Sequence, residues 1–154
     1  MLLRLIKFNS VKSTNETAIK IIKLKKRKAG IILSKKQTKG KGTMGKSWVS
    51  LNGNFFVSIF FELKKNMPKP EEFSLINPII IKDVLKEYSR FEIKIKWPND
   101  LLIKSRKVCG ILQELIKVDN KSFLIIGIGI NTIYSPNNKK FKSISLLESS
   151  DKII

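Results

Sequence analysis

Histidine is absent from the 154-residue sequence, and cysteine occurs once, at Cys109. Without histidine the chain lacks the commonest zinc ligand and the side chain that most often moves protons near neutral pH. A lone cysteine excludes an intrachain disulfide and fits a reducing compartment, so a cytoplasmic location is expected. Long apolar runs are missing too: nothing approaches the roughly 20 residues that span a bilayer. The start, MLLRLIKFNS, turns polar too early for a signal peptide. Acids are scarce, 12 against 31 Lys and Arg, for a formal net charge of +19. Such a charge attracts polyanions at low salt. Lys, Ile and Asn are abundant along the whole chain, however, so the excess reads as composition spread over the surface, and no specific nucleic-acid partner is expected. What is present is 42% hydrophobic residues in a chain long enough to bury one core. With no repeat, linker or low-complexity block, a single domain over 1–154 is expected.

The periodicities outline an α+β domain. Ser13 and Glu16 have capping-box spacing ahead of Ala18, Ile21, Ile22 and Leu24, which predicts a helix over 15–27. The basic KLKKRK run at 23–28 then reads as its solvated end. Gly30 breaks this helix, and Ile31 to Leu33 read as a short buried strand. Residues 35–47 read as a loop, and FFVSIFF at 55–61 as a core strand. Pro70 to Tyr88 carries a second helical pattern that Pro78 interrupts. Ile93, Ile95 and Trp97 alternate with lysines as in a half-exposed strand, and Pro98, Asn99 and Asp100 supply a turn. Two more strands, 108–118 and 123–130, meet at a tight Asp119 and Asn120 connection. The expected architecture is a mixed, largely antiparallel sheet with helices packed on one face.

Four segments carry chemistry. QTKGKGTMGKSW at 37–48 alternates Gly40, Gly42 and Gly45 with Lys41 and Lys46. Glycine lets backbone amides approach an anion, and the ammonium groups balance phosphate charge; a mobile surface loop has the same composition. KWPND at 96–100 sets a lysine, an aromatic platform, a rigid proline, an amide and a carboxylate at a strand end, although Trp97 in a core ahead of an ordinary turn would look alike. RKVCGILQE at 106–114 brings Arg106 and Lys107 to the mouth of a strand, followed by Gly110 where a side chain would obstruct a ligand. GIGIN at 127–131 has two glycines on one strand face and a terminal amide at Asn131; close packing alone also uses small residues there.

Together and in this order the segments resemble biotin protein ligases. GKGTMGKSW is similar to that family's GRGRxGRxW loop, KWPND, KxxGIL and GxGxN recur as such, and Ser13, Thr14 and Asn15 resemble its STN signature. The resemblance runs from about residue 8 to 148. It implies the class II synthetase-like core of the biotin and lipoate ligases. It also implies ATP-dependent ligation of biotin to a lysine of the biotin carboxyl carrier protein of acetyl-CoA carboxylase, through biotinyl-5'-AMP. Biotin and ATP are then substrates and Mg2+ accompanies the nucleotide. Carried over residue by residue, the resemblance gives Ser13, Thr14 and Gln37 to the biotin head group, and Gly40, Gly127 and Gly129 to the pocket lining. Lys107 takes the carboxylate beside the α-phosphate, with Lys41 as a second catalytic cation. Trp48, Lys46, Asn99, Asp100 and Asn131 take the nucleotide side. No residue is assigned to a resident metal, and Cys109 is given no catalytic role. The chain is expected to be a monomer or a homodimer, with strand 108–118 available for pairing. Lipoate or octanoate ligation on the same fold is the nearest rival, and a basic nucleic-acid-binding module the next.

The sequence departs from the family in two places. Beyond SLLE at 145–148 the chain is expected to be shortened, without a C-terminal β domain or an N-terminal helix-turn-helix. Thr43 and Met44, with Lys41 and Lys46, stand where the family carries mostly arginine, and lysine lacks the two-pronged guanidinium grip on phosphate. Looser retention of an adenylate is the expected consequence. In a mixture of carrier domain and bystander protein, both should then acquire biotin to a similar extent, as read by streptavidin blotting; strict carrier selectivity would refute this.

Overall fold

In the computed structural model, which describes residues 3–137 and 141–150, one seven-stranded sheet organises the chain. Its strands are β1 (Leu5–Phe8), β2 (Ala29–Ser34), β3 (Phe55–Glu62), β4 (Ile93–Lys96), β5 (Asp100–Ile103), β6 (Arg106–Val118) and β7 (Lys121–Ile130). They lie in the order β1-β2-β3-β7-β6-β5-β4. Only β1 and β2 run parallel; the other neighbours are antiparallel. Helices α1 (Thr14–Lys23) and α2 (Pro70–Leu85) and the single turn α3 (Leu146–Ser149) complete the α+β fold.

Local chemistry explains most boundaries. Ser13 caps α1, its Oγ accepting from the Glu16 amide at 3.5 Å. The helix ends at Lys23, short of the expected 27, because the chain turns left-handed at Lys25 (φ 53°) before entering β2. Gly30 therefore does not break the helix; it lies within β2, where a Cβ would press on the Phe60 ring at 3.0 Å. The 70–88 pattern is filled by α2 and a 3-10 turn at Lys86–Tyr88, and Pro78 is accommodated inside α2 as a buried residue. The two-residue links Lys104–Ser105 and Asp119–Asn120 have positive φ at both positions, the type I′ geometry that matches strand twist.

The expected placement of helices on one face is corrected. Side chains alternate along a strand, so β7 sends Leu124, Ile126 and Ile130 into the larger core with Leu85 of α2, Ile93, Leu101, Ile103 and Val108. Phe123 and Ile125 go to the opposite face, where Phe60, Ile32, Ala18 and Ile22 form the second core under α1. Near-continuous apolar runs such as FFVSIFF mark strands covered on both sides, and α1 and α2 cover opposite faces. Trp97 joins neither core and is half exposed.

Asn15 pins the start of α1 to the sheet. Its side chain is buried, donates to Glu114 Oε2 at 2.7 Å and to the Leu112 carbonyl at 3.2 Å, and accepts from Ser58 Oγ. A Cβ on Gly127 would collide with the Asn15 amide. Gly127→Ala should lower stability by about 1–3 kcal/mol, seen as a lower urea midpoint at unchanged m-value.

Candidate active site

On the face that α1 covers, the helix stops at its own N-terminus, and beyond it the sheet surface is almost bare. Register aligns Gly129 with Gly110 and Gly127 with Leu112 across β7 and β6, so three of these four positions carry no side chain and Leu112 edges a shelf of backbone. The loop between β2 and β3 roofs it. Trp48 lies on the shelf so closely that a Cβ on Gly110 or Gly129 would stand 2.6 Å from its ring. Gly40 holds the roof shut: the Trp48 amide donates to its carbonyl at 2.9 Å, and a Cβ on Gly40 would stand 2.6 Å from the Trp48 carbonyl. At the back, Gln37 Oε1 accepts from the Thr14 amide at 2.8 Å and the Thr14 hydroxyl at 3.1 Å, while its Nε2 donates to Ser50 at 3.2 Å. A first, narrow cavity results, bounded by Ser13, Thr14, Gln37, Trp48 and the glycines. The partial positive charge of the α1 N-terminus favours a polar or anionic group there.

A bulge aims Lys107 into this space. Leu101 pairs with Cys109 and Leu102 with Lys107, so Val108 is the extra residue in β6. The inserted residue turns Lys107 to the same face as Gly110, and bulges re-aim side chains in this way. Its Nζ lies 2.6 Å from Asp100 Oδ1 and 5.2 Å from the centre of the Trp48 ring. Both charged side chains are mostly buried, 23% and 21% exposed. A second, larger cavity opens beyond, with Lys46, Lys96, Asp100, Asn131 and Lys142 in its wall. Gly42, Thr43, Trp48 and Lys107 border both cavities, so the two meet at Lys107. Asn131 is 1% exposed; its Nδ2 donates to the Lys107 and Ile144 carbonyls, and its Oδ1 has no hydrogen-bond partner. Asp100 Oδ1, despite its short ion-pair contact, also lacks one of good geometry.

Most of the residues expected at the site converge. Ser13, Thr14, Gln37, Lys41, Lys107, Gly127 and Gly129 border the first cavity, and Trp48, Lys46, Asp100 and Asn131 border the second. Asn99 does not join the second group: it borders the first cavity, with its amide toward Thr43 Oγ1 at 3.5 Å and the Ile111 carbonyl at 3.3 Å. Gly40 borders neither cavity and acts through the Trp48 backbone. Lys41 is held by Glu16 at 2.7 Å; that hydrogen bond raises its pKa above the ordinary lysine value against the opposing effect of burial. Asn15 and Glu114 were not singled out for the site, and only the STN triplet pointed to the first of them. Phe141, Lys142 and Ser143 of the second cavity carry no motif at all.

A model of the biotin/lipoate A/B protein ligase family matches residues 7–131. The chain belongs to this family. The bifunctional ligase/repressor BirA of Bacillus subtilis is 32% identical over 136 residues, which cover 87% of this chain and 42% of that one. BirA of Escherichia coli is 36% identical over 97 residues, 62% of this chain and 30% of that one. Among solved structures, the biotin protein ligase from Aquifex aeolicus in complex with biotin and ATP superimposes with a TM-score of 0.78 at 29% identity. That match covers 98% of this chain and 62% of the other. This family member thus spans less than half the length of either BirA. Among the described residues no helix is long and apolar enough to cross a membrane, and no cluster of three or more His, Cys, Asp or Glu residues is arranged to hold a metal ion.

Cys109 neighbours Lys107 in sequence but faces the opposite core. It is fully buried, and that burial pushes its thiol up to about 12, although Lys107 pulls the other way. A thiolate is the reactive form, so a maleimide at pH 8 should leave native protein unlabelled and label it fully in denaturant. The unfolded thiol ionises from about pH 9 while the folded one keeps its proton to about 12. The thiol therefore withdraws stability as pH rises through that interval, by roughly 1.4 kcal/mol per unit.

Proposed function

We propose that the protein joins biotin to a lysine of a biotin carboxyl carrier domain in two steps, by way of biotinyl-5'-AMP. The observation that carries the reading is the meeting of two cavities at Lys107. One is narrow, glycine-floored and lined by Ser13, Thr14 and Gln37; the other is larger and bordered by cations. In this reading the biotin head group occupies the first, beside the Trp48 ring at the Thr14 end of the glycine shelf, and its ureido group finds Thr14 and Gln37. The nucleotide occupies the second, against Trp48, Lys46 and Asn131.

The biotin carboxylate then reaches Lys107 from one side and the α-phosphate from the other. Two anions brought to one ammonium group lose much of their repulsion, and Lys107 offsets the charge that builds as the carboxylate oxygen attacks phosphorus. Pyrophosphate leaves and the mixed anhydride remains under the roof loop. An acceptor lysine next attacks the acyl carbon, and AMP departs. Positioning and charge neutralisation suffice for both steps, so the missing histidine is no obstacle. Mg2+ prefers hard oxygen ligands and retains several waters and phosphate oxygens. The unpartnered Asn131 Oδ1 and the Asp100 carboxylate fit such an ion, which would supply charge neutralisation on the phosphates.

Lys107→Ala should lower biotin-dependent pyrophosphate release by about 10²–10³-fold, with circular dichroism confirming that the variant is folded. Transfer to a carrier domain is measured in the same reactions. Undiminished release in the variant would remove Lys107 from the mechanism, and folded wild-type protein giving neither release nor transfer would refute ligation.

A further inference from the structure

We propose that Lys96 is an internal acyl acceptor, a site at which the protein biotinylates itself when no carrier is bound. The proposal rests on the ligation reading above and adds the fate of the activated acyl group. Sheet register sets it up. Phe56 pairs with Gly129, Gly129 with Gly110, Gly110 with Asp100 and Asp100 with Lys96, so one row crosses five strands on the site face. Neighbours in such a row stand about 4.8 Å apart. Lys96 is therefore one strand beyond Asp100, whose carboxylate holds Lys107 at 2.6 Å, and the anhydride would form at Lys107. The flexible four-carbon stem of a lysine brings the Lys96 amine within reach of that point.

Two further features single it out among the cations around the two cavities. Lys41 and Lys107 are engaged by Glu16 and Asp100, whereas Lys96 is exposed and makes no ion pair among the described residues. Lys46 is carried by the roof loop and Lys142 by a segment outside any strand, but Lys96 ends a paired strand whose register fixes its starting point. The step balances without any co-reactant. Having given a proton to water, the Lys96 Nζ attacks the biotinyl carbonyl; the N–C bond forms, the C–O bond to phosphorus breaks with its electrons going to AMP, and a second amine proton passes to water.

The test uses the full chain with preformed biotinyl-5'-AMP and no carrier, followed by peptide mapping by mass spectrometry. A parallel reaction with biotin, ATP and Mg2+ is followed by pyrophosphate release. We expect the Lys96 adduct to exceed that at any other lysine by roughly tenfold, the advantage that held proximity confers. The preference should vanish in urea-unfolded protein, and total label should fall severalfold in Lys96→Arg. Label spread evenly, concentrated at Lys46 or Lys142, or absent would overturn the proposal. Pyrophosphate release judges the ligation reading separately: release without a Lys96 adduct refutes only the acceptor, and a Lys96 adduct from the preformed adenylate without release refutes only the activation step.

Discussion

Everything at the site follows from three sheet positions that carry no side chain. Gly127, Gly129 and Gly110 adjoin on one face of β7 and β6, and each lies against a group that could not stand there otherwise: Asn15 over the first, the Trp48 ring over the other two. A sheet face normally buries its residues under a helix, and α1 does this for Phe60, Phe123 and Ile125. Where the glycines begin, the helix has ended, and a loop supplies the cover. The result is a cleft whose floor is backbone, whose roof is an indole and whose end wall is a helix N-terminus. The same glycines that seat Trp48 and Asn15 thus set the floor on which the loop and the start of α1 meet.

The polar residues around this strip are bound to one another before any ligand arrives. Asn15 joins Ser58 of β3, Glu114 and Leu112 of β6 and the start of α1, while Gln37 joins Thr14 to Ser50. Buried amides left without partners cost about 1–3 kcal/mol each, so these bonds fix the helix start and the base of the loop at the same time. Side chains held in this way meet a ligand without first being ordered, which removes part of the entropic cost of binding.

The sequence made the strands with strong alternation or continuous apolar runs legible, and with them most of the cleft. It hid what depends on partners distant in the chain. Leu5–Phe8 is a short edge strand whose pairing with Ala29–Ser34 leaves no local mark. Asp100 sits in a WPND stretch that has turn chemistry, yet it opens β5 because Gly110 pairs with it. The side of the sheet that each helix covers was misjudged because an apolar strand does not say which of its faces meets which helix. The Val108 bulge was equally invisible: without it the alternation of β6 would turn Lys107 away from Gly110. Motif spacing located the lysine, and only the register explains why it points into the cleft.

The pairing of Lys107 with Asp100 bears on how such a site can hold two anions in a chain that is already strongly basic. A mostly buried ammonium without a partner would be costly, and one paired too well could not exchange partners. At Asp100 the contact is short, and the same carboxylate oxygen carries no further hydrogen bond. An incoming carboxylate or phosphate can therefore share or replace Asp100 without breaking a fully formed network. The aspartate displaced in that exchange faces the second cavity beside Asn131, where it can meet a cation that accompanies a nucleotide. In a pocket with no histidine, chemistry must come from rearranging fixed charges. A lysine held by a single internal anion is an arrangement in which that exchange can take place.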